Sequence, residues 1–282
     1  MKARDPIGQA FLHRRQRGEK VLIPFLTAGF PDERICRELC LELAQRGADI
    51  LELGVPFSDP IADGPTIQFS SQVALRSGIS LAKILQLVRQ IRKDCPVPLV
   101  LMSYYNPIFR WGSSRFPADA REAGVDGLIV PDLPPEEAED LLEACREAAL
   151  DPIFLVAPTS SERRIRLISK VSEGYIYYVS VTGTTGARSS IPADLKEGVL
   201  RLRQMTRTPI AVGFGISTPR QAKEVAAVAD GVILGSVLIA RIQSRFGRPD
   251  LVPDLGGFIA RFRRTLDGRF SAGAAAGEDK ED

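Results

Sequence analysis

One histidine occurs in 282 residues, His13, and it precedes every strand-forming run. A metal centre built on several imidazoles is thereby excluded. The eight lysines (Lys2, Lys20, Lys83, Lys93, Lys170, Lys196, Lys223 and Lys280) lie near the termini, in helical patterns or, for Lys20, at the foot of the first apolar run. None is placed to form a Schiff base inside a barrel mouth. Cys36, Cys40, Cys95 and Cys145 show no CxxC spacing, and the first thirty residues lack the apolar core of a signal peptide, so a reducing, cytoplasmic setting is expected. The longest apolar run, GVILGSVLIA (231–240), is interrupted by glycine and falls short of the ~18 residues that span a bilayer. No membrane segment is expected. Neither charge sign dominates at a formal +2, and the basic clusters HRRQR (13–17) and RFRR (261–264) fall on helical patterns. They read as solvated helix faces, and no nucleic-acid partner is expected.

What the chain does contain is a repeated alternation. Short aliphatic runs occur at VLIPFLT (21–27), DILELG (49–54), PLVLMSY (98–104), GLIVPD (127–132), PIFLVAP (152–158), YIYYVSV (175–181), PIAVGFG (209–215) and GVILGS (231–236). Amphipathic segments such as DERICRELCLELAQRG and SLAKILQLVRQIRKDC separate them, with Pro31 and Pro219 at expected helix starts. The junctions RGADILELG, AGVDGLIVPD and VADGVILGS echo one another. Eight βα units predict an α/β fold, a TIM (β/α)8 barrel in a single domain over 1–270, with its site at the C-terminal ends of the strands. The small-residue, charged tail over 271–282 is expected to be disordered.

The stretch LELGVPFSDPIADGPTIQ (51–68) places three carboxylates at that end. Side chains alternate along a strand, so if Leu51, Leu53 and Val55 face the helices, Ile50, Glu52 and Gly54 face the interior. No Lys, Arg or His occurs in any of the eight runs. An acid in an apolar mouth with no strand-borne cation has a raised pKa and suits proton transfer near neutrality. Asp63 belongs to an Asp-Gly pair and reads equally as a turn residue or a second catalytic carboxylate. Asp59, in SDP, reads as a turn residue or a contact to a partner.

Three consecutive strand ends carry glycine: VTGTTGA (181–187), GFGIS (213–217) and GSVL (235–238). Backbone N–H groups and the N-terminus of a short helix over 236–242 would hold a phosphate there. Phe25, Met102, Tyr104, Leu128, Ile153 and Tyr177 could line a flat apolar pocket, although core packing explains each one taken singly. TGTTGARSS (182–190) suits a loop that orders over bound ligand. After Tyr105, NPIFRWG presents Ile108, Phe109 and Trp111 on a connection expected to face solvent.

ELGVPFSDPIADGPTIQ, followed in barrel order by the GFG and GS loops, resembles the tryptophan synthase alpha chain family from about Gly8 to Arg264. The resemblance implies reversible retro-aldol cleavage of indole-3-glycerol phosphate to indole and glyceraldehyde 3-phosphate. It implies Glu52 as the acid/base and Asp63 as the carboxylate that holds the indole N–H. Phe25, Ile67, Tyr177 and Thr185 match substrate-binding positions and Gly186, Gly215, Gly235 and Ser236 the phosphate site; on the residues' own reading Tyr104 is a further substrate-binding candidate, and Asp59, Asn106 and Phe109 are the candidate partner interface. No metal or cofactor is implied in this chain. Pyridoxal phosphate is expected only in a partner beta chain, with the pair assembled as an alpha2beta2 tetramer. The sequence departs from the family at Val181, where some members carry arginine, and in its acidic tail. A stand-alone lyase that releases free indole, a phosphosugar isomerase, and an idle barrel that only activates a partner are the competing readings.

Overall fold

The computed structural model describes residues 5–179, 193–213 and 215–268. Its strands are β1 (Val21–Thr27), β2 (Leu51–Gly54), β3 (Leu99–Met102), β4 (Gly127–Ile129), β5 (Asp151–Ile153), β6 (Leu155–Val156), β7 (Ile176–Val179), β8 (Ile210–Gly213) and β9 (Gly231–Leu234). They pair in parallel in the order β5-β4-β3-β2-β1-β9-β8-β7-β6. The fifth run of the sequence supplies both β5 and β6. Its first half pairs with β4 and its second with β7, so the bend at Phe154 brings the two ends of the sheet together. Tyr177 N–H reaches Phe154 O at 3.0 Å across that closure. The residues 269–282, which include the tail, lie outside the described residues.

Alternation sorts the side chains into two cores. Val21, Ile23, Ile50, Val100, Ile129, Ile153 and Tyr175 fill the interior, while Leu22, Leu51, Leu53 and Leu101 pack outward against helices. The interior is a packed core because a barrel of this strand number has room only for its own side chains. Its foot is closed by the helix Pro6–Gln16, which inserts Ile7 and Phe11, the latter 5.7 Å from the ring of Tyr175. Pro219 opens its helix behind a Thr218–Gln221 capping box. Pro31 lies one residue before Asp32, whose side chain caps the helix Glu33–Gln45.

The echoed junctions have a shared purpose beyond a small-residue turn. Asp49, Asp126 and Asp230 each accept an amide from the foot of the preceding strand, from Leu22 at 2.8 Å, Leu99 at 3.1 Å and Ile210 at 2.8 Å. Each also holds arginine: Asp49 binds Arg14 and Arg263, Asp126 binds Arg92 and Arg121, and Asp230 binds Arg203. One carboxylate thus pins two strands and a helix at the end of the barrel opposite the site. Replacing Asp126 with Ala takes the carboxylate from two arginines, which keep only backbone carbonyls as acceptors, and leaves the Leu99 N–H without its acceptor. The expected cost is about 3 kcal/mol or more in urea-induced unfolding, because removing one member of a buried ion pair strands the other. Asp126→Asn should recover part of it by restoring the amide's acceptor.

Candidate active site

Glu52 sits at the centre of the mouth, in register with Phe25 on β1 and Val100 on β3. Its exposure is 0%. The hydroxyl of Tyr175 donates to Oε1, and Oε2 has no partner among the described residues. Burial raises the carboxyl to about 8, against the opposing pull of the Tyr175 hydrogen bond. Tyr175 itself is held well above its ordinary value by burial and by Glu52, so it is the donor. At neutral pH Glu52 therefore keeps its proton, and Oε2 is the oxygen free to carry it. Tyr175 was missed in the sequence, although YIYYVSV gave a signal: Tyr175 and Tyr177 share a parity and both face inward.

At the strand ends lies a cavity of about 210 Å³ lined by Phe25, Asp63, Ile67, Met102, Tyr177, Gly213, Gly215, Gly235 and Ser236, among others, while the fully buried Glu52 is not part of its lining. No Lys, Arg or His lines it among the described residues. Two glycines shape its walls. A Cβ on Gly54 would lie 2.4 Å from the Phe25 ring, and one on Gly213 would lie 2.1 Å from the Tyr177 hydroxyl. Gly215 and Gly235, in contrast, face open space, and Gly215 has φ of +45°, a conformation that favours glycine. Gly235 precedes the nine-residue helix Ser236–Ser244, whose N-terminus has no side-chain cap. Open backbone and an uncapped helix start form a cradle for an anion. Thr185, Gly186 and the loop 182–190 lie outside the described residues.

Asp63 is held in the loop through its backbone. Its N–H donates to Pro60 O at 3.2 Å, its carbonyl accepts from Gln68 at 2.9 Å, and the neighbouring Ala62 N–H donates to the Tyr104 hydroxyl at 2.9 Å. Burial raises the Asp63 carboxyl and the nearby Tyr104 hydroxyl opposes the rise. Tyr104 does not line the cavity. Ile153 and Leu128 lie away from it as well, in the barrel core and the outer core.

On the same rim, Asp59 and Asn106 are exposed. So are Ile61, at 87%, and Phe109, at 66%. The segment after Tyr104 is a helix, Tyr105–Trp111, and of its expected outward cluster only Phe109 is presented. Ile108 is buried, and Trp111 is half-buried, with Nε1 donating to Asp119 at 2.7 Å. A helix has an inner face that a loop reading does not anticipate. A larger cavity, about 660 Å³, opens at the foot of the barrel near Phe11, Arg15 and Lys20. It lies opposite the strand ends where barrel chemistry is found. Among the described residues, no group of three or more His, Cys, Asp or Glu comes together to hold a metal ion, and no helix is long and apolar enough to cross a membrane.

The family model described as tryptophan synthase alpha chain matches residues 11–252. A tryptophan synthase alpha chain of Geobacter sp. (strain M21) is 51% identical over 258 residues, 92% of this chain and 96% of that one. That of Citrifermentans bemidjiense is 52% identical with the same coverage. Among solved structures, the Legionella pneumophila str. Paris tryptophan synthase subunit alpha superposes with a TM-score of 0.88 at 38% identity, covering 94% of this chain and 100% of that one. A chain of the Mycobacterium tuberculosis tryptophan synthase, in its aminoacrylate-bound form, gives 0.84 at 33% identity, covering 93% and 100%. With the same fold over nearly its whole length and a carboxylate pair at the strand ends, the chain belongs to the tryptophan synthase alpha chain family.

Proposed function

We propose that Glu52 and Asp63 carry the family's reaction here, the retro-aldol cleavage of indole-3-glycerol phosphate to indole and glyceraldehyde 3-phosphate. The observation that carries this reading is a fully buried Glu52, its carboxyl raised to about 8, in register with Phe25, which lines the cavity that Asp63 also borders. The substrate's phosphate sits on the backbone of Gly215, Gly235 and Ser236; the family resemblance adds Gly186, which lies outside the described residues. Its indole lies among Phe25, Ile67 and Tyr177; the family resemblance adds Thr185, which lies outside the described residues. Glu52 donates its proton to the indole C3, and Asp63 accepts the ring N–H as positive charge develops on the nitrogen. The resulting carboxylate of Glu52 takes the proton of the neighbouring side-chain hydroxyl. The carbon–carbon bond to C3 breaks, its electrons return to the ring, and the hydroxyl carbon becomes the aldehyde. Protons balance, and the protonated ring serves as the electron sink. The reaction therefore asks for no metal and no cofactor of this chain; pyridoxal phosphate belongs to the beta chain.

The exposed Asp59, Ile61, Asn106 and Phe109 support docking of a beta chain over the ends of β2 and β3, in an alpha2beta2 assembly. This favours the coupled enzyme over a stand-alone lyase. Four buried free thiols accord with a cytoplasmic setting. Gly215→Asp tests the phosphate cradle. A side chain at positive φ and a carboxylate facing the anion should raise KM for the substrate by about a hundredfold or more. Inhibition by glyceraldehyde 3-phosphate should weaken in parallel; unchanged KM and inhibition would place the phosphate elsewhere.

A further inference from the structure

The cavity at the foot of the barrel, about 660 Å³ against about 210 Å³ at the strand ends, is of a size that encloses small molecules. Its lining carries both signs of charge, but the two are not equally occupied. Asp5 accepts the Gly8 N–H at 2.7 Å, Glu19 is paired with Arg14 and Arg17, and Asp230 with Arg203. Asp151 and Glu173 each have an interaction of their own. The cations stand differently. Arg15 and Arg207 are exposed, and neither guanidinium has an ion pair or a hydrogen bond among the described residues. Lys20 gives one of its three N–H bonds to Ala229 O at 2.8 Å, which leaves two. Burial holds its pKa below the ordinary lysine value, with Asp230 opposing, and an anion alongside would relieve that cost.

Two uncharged residues of the same wall complete the description. Leu12 is 48% exposed, an apolar side chain left open beside the charged ones. Ser172 is 7% exposed, yet its hydroxyl has no partner among the described residues. A buried hydroxyl without a partner calls for an explanation, and an acceptor bound in the cavity that Ser172 lines supplies one. We propose that this cavity is a binding site for a small organic anion, its phosphate or carboxylate held by Arg15, Lys20, Arg207 and the Ser172 hydroxyl and its apolar body laid on Leu12. Guanidinium groups take either head group through paired N–H donors. A bare inorganic ion would leave Leu12 uncovered, and a neutral molecule would leave the cations unmatched. The site is separate from the strand-end cradle, whose lining has no Lys, Arg or His among the described residues.

Arginine-specific modification by phenylglyoxal, read residue by residue by mass spectrometry at constant ionic strength, tests this on the full chain. The probes are phenyl phosphate, phenylacetate, inorganic phosphate and benzyl alcohol. Arg110, exposed on the helix Tyr105–Trp111 at the other end of the barrel, is the internal control. With a Kd of about 1 mM or tighter, phenyl phosphate or phenylacetate at about 10 mM fills the site to about nine-tenths and should slow modification of Arg15 and Arg207 by about fivefold or more, with Arg110 unchanged. Inorganic phosphate should need a concentration about threefold higher or more, because it covers no apolar surface, and benzyl alcohol should not protect. Lys20→Gln, which can keep the bond to Ala229 O, should raise the protecting concentration by about fivefold or more. Stronger protection by phenyl phosphate assigns a phosphate ester and stronger protection by phenylacetate a carboxylate, and either result supports the site. Unchanged rates at Arg15 and Arg207 with both aromatic anions, or equal slowing at Arg110, would overturn it. Protection by benzyl alcohol, or an unmoved concentration in Lys20→Gln, would overturn the assignment to an anion held by these cations, and equal protection by inorganic phosphate would overturn the apolar body.

Discussion

Glu52→Gln should lose indole formation by about a thousandfold or more, the upper range for a group that both gives and takes the reacting proton. The same variant should be more stable than wild type at alkaline pH. An unfolded glutamate ionises near 4.5, whereas the folded Glu52 keeps its proton to about 8. Between those values the unfolded chain releases a proton that the folded one retains, so the native state loses stability as pH rises through that window. Below 4.5 both states are protonated and the contribution is fully present; above about 8 it is gone. The glutamine of the variant does not titrate. Urea-induced unfolding of the two proteins should therefore nearly coincide at the acid end of this window and separate above pH 8, with the variant ahead by up to about 5 kcal/mol. Lower activity joined to higher stability is expected where a site holds a group in an unfavourable environment for its chemistry. A variant no more stable than wild type at alkaline pH would mean that Glu52 is ionised at ordinary cost.

Asp63→Asn is the second large effect. The amide preserves size and leaves the backbone bonds to Pro60 and Gln68 in place, so the loop should keep its shape. What it removes is negative charge beside a ring nitrogen that becomes positive during the reaction. One such electrostatic group is typically worth ~3 to 4 kcal/mol in the transition state, a loss of about two to three powers of ten in kcat. KM should change little, because the interaction strengthens only as charge develops. Steady-state indole release checks both parameters. Undiminished turnover would return Asp63 to the role of a turn residue.

These two residues illustrate how far the sequence reaches. Glu52 was legible because strand alternation fixes a face, and the absence of any cation from eight strand runs left it unneutralised. Tyr175, which touches it, is 123 positions away. Parity says that both point inward but carries no distance between strands, so the contact awaited coordinates. The barrel itself followed from the repeat of short apolar runs and helical patterns, and β1 spans the same residues read from the chain. The break between β5 and β6 was not legible, since PIFLVAP is continuous in composition and only closure of the sheet gives its halves different neighbours. Tyr104 looked like a pocket wall because an aromatic at a strand end usually is one; its hydroxyl's attachment to a loop 42 positions earlier has no sequence signature. The junction aspartates were visible as an echo, but their arginines come from helices as remote as Arg263, 214 positions from Asp49.

If carboxylates alone move the protons of the cleavage, neither a metal chelator nor an imine-trapping reductant has anything to attack. The decisive quantity is the rate of indole release from indole-3-glycerol phosphate by the purified chain, assayed after chelator treatment and after borohydride reduction, with Glu52→Gln alongside. The wild-type rate should survive both treatments, and the variant should form almost no indole. Loss of the wild-type rate to either reagent, or substantial release by Glu52→Gln, would contradict carboxylate-only proton transfer.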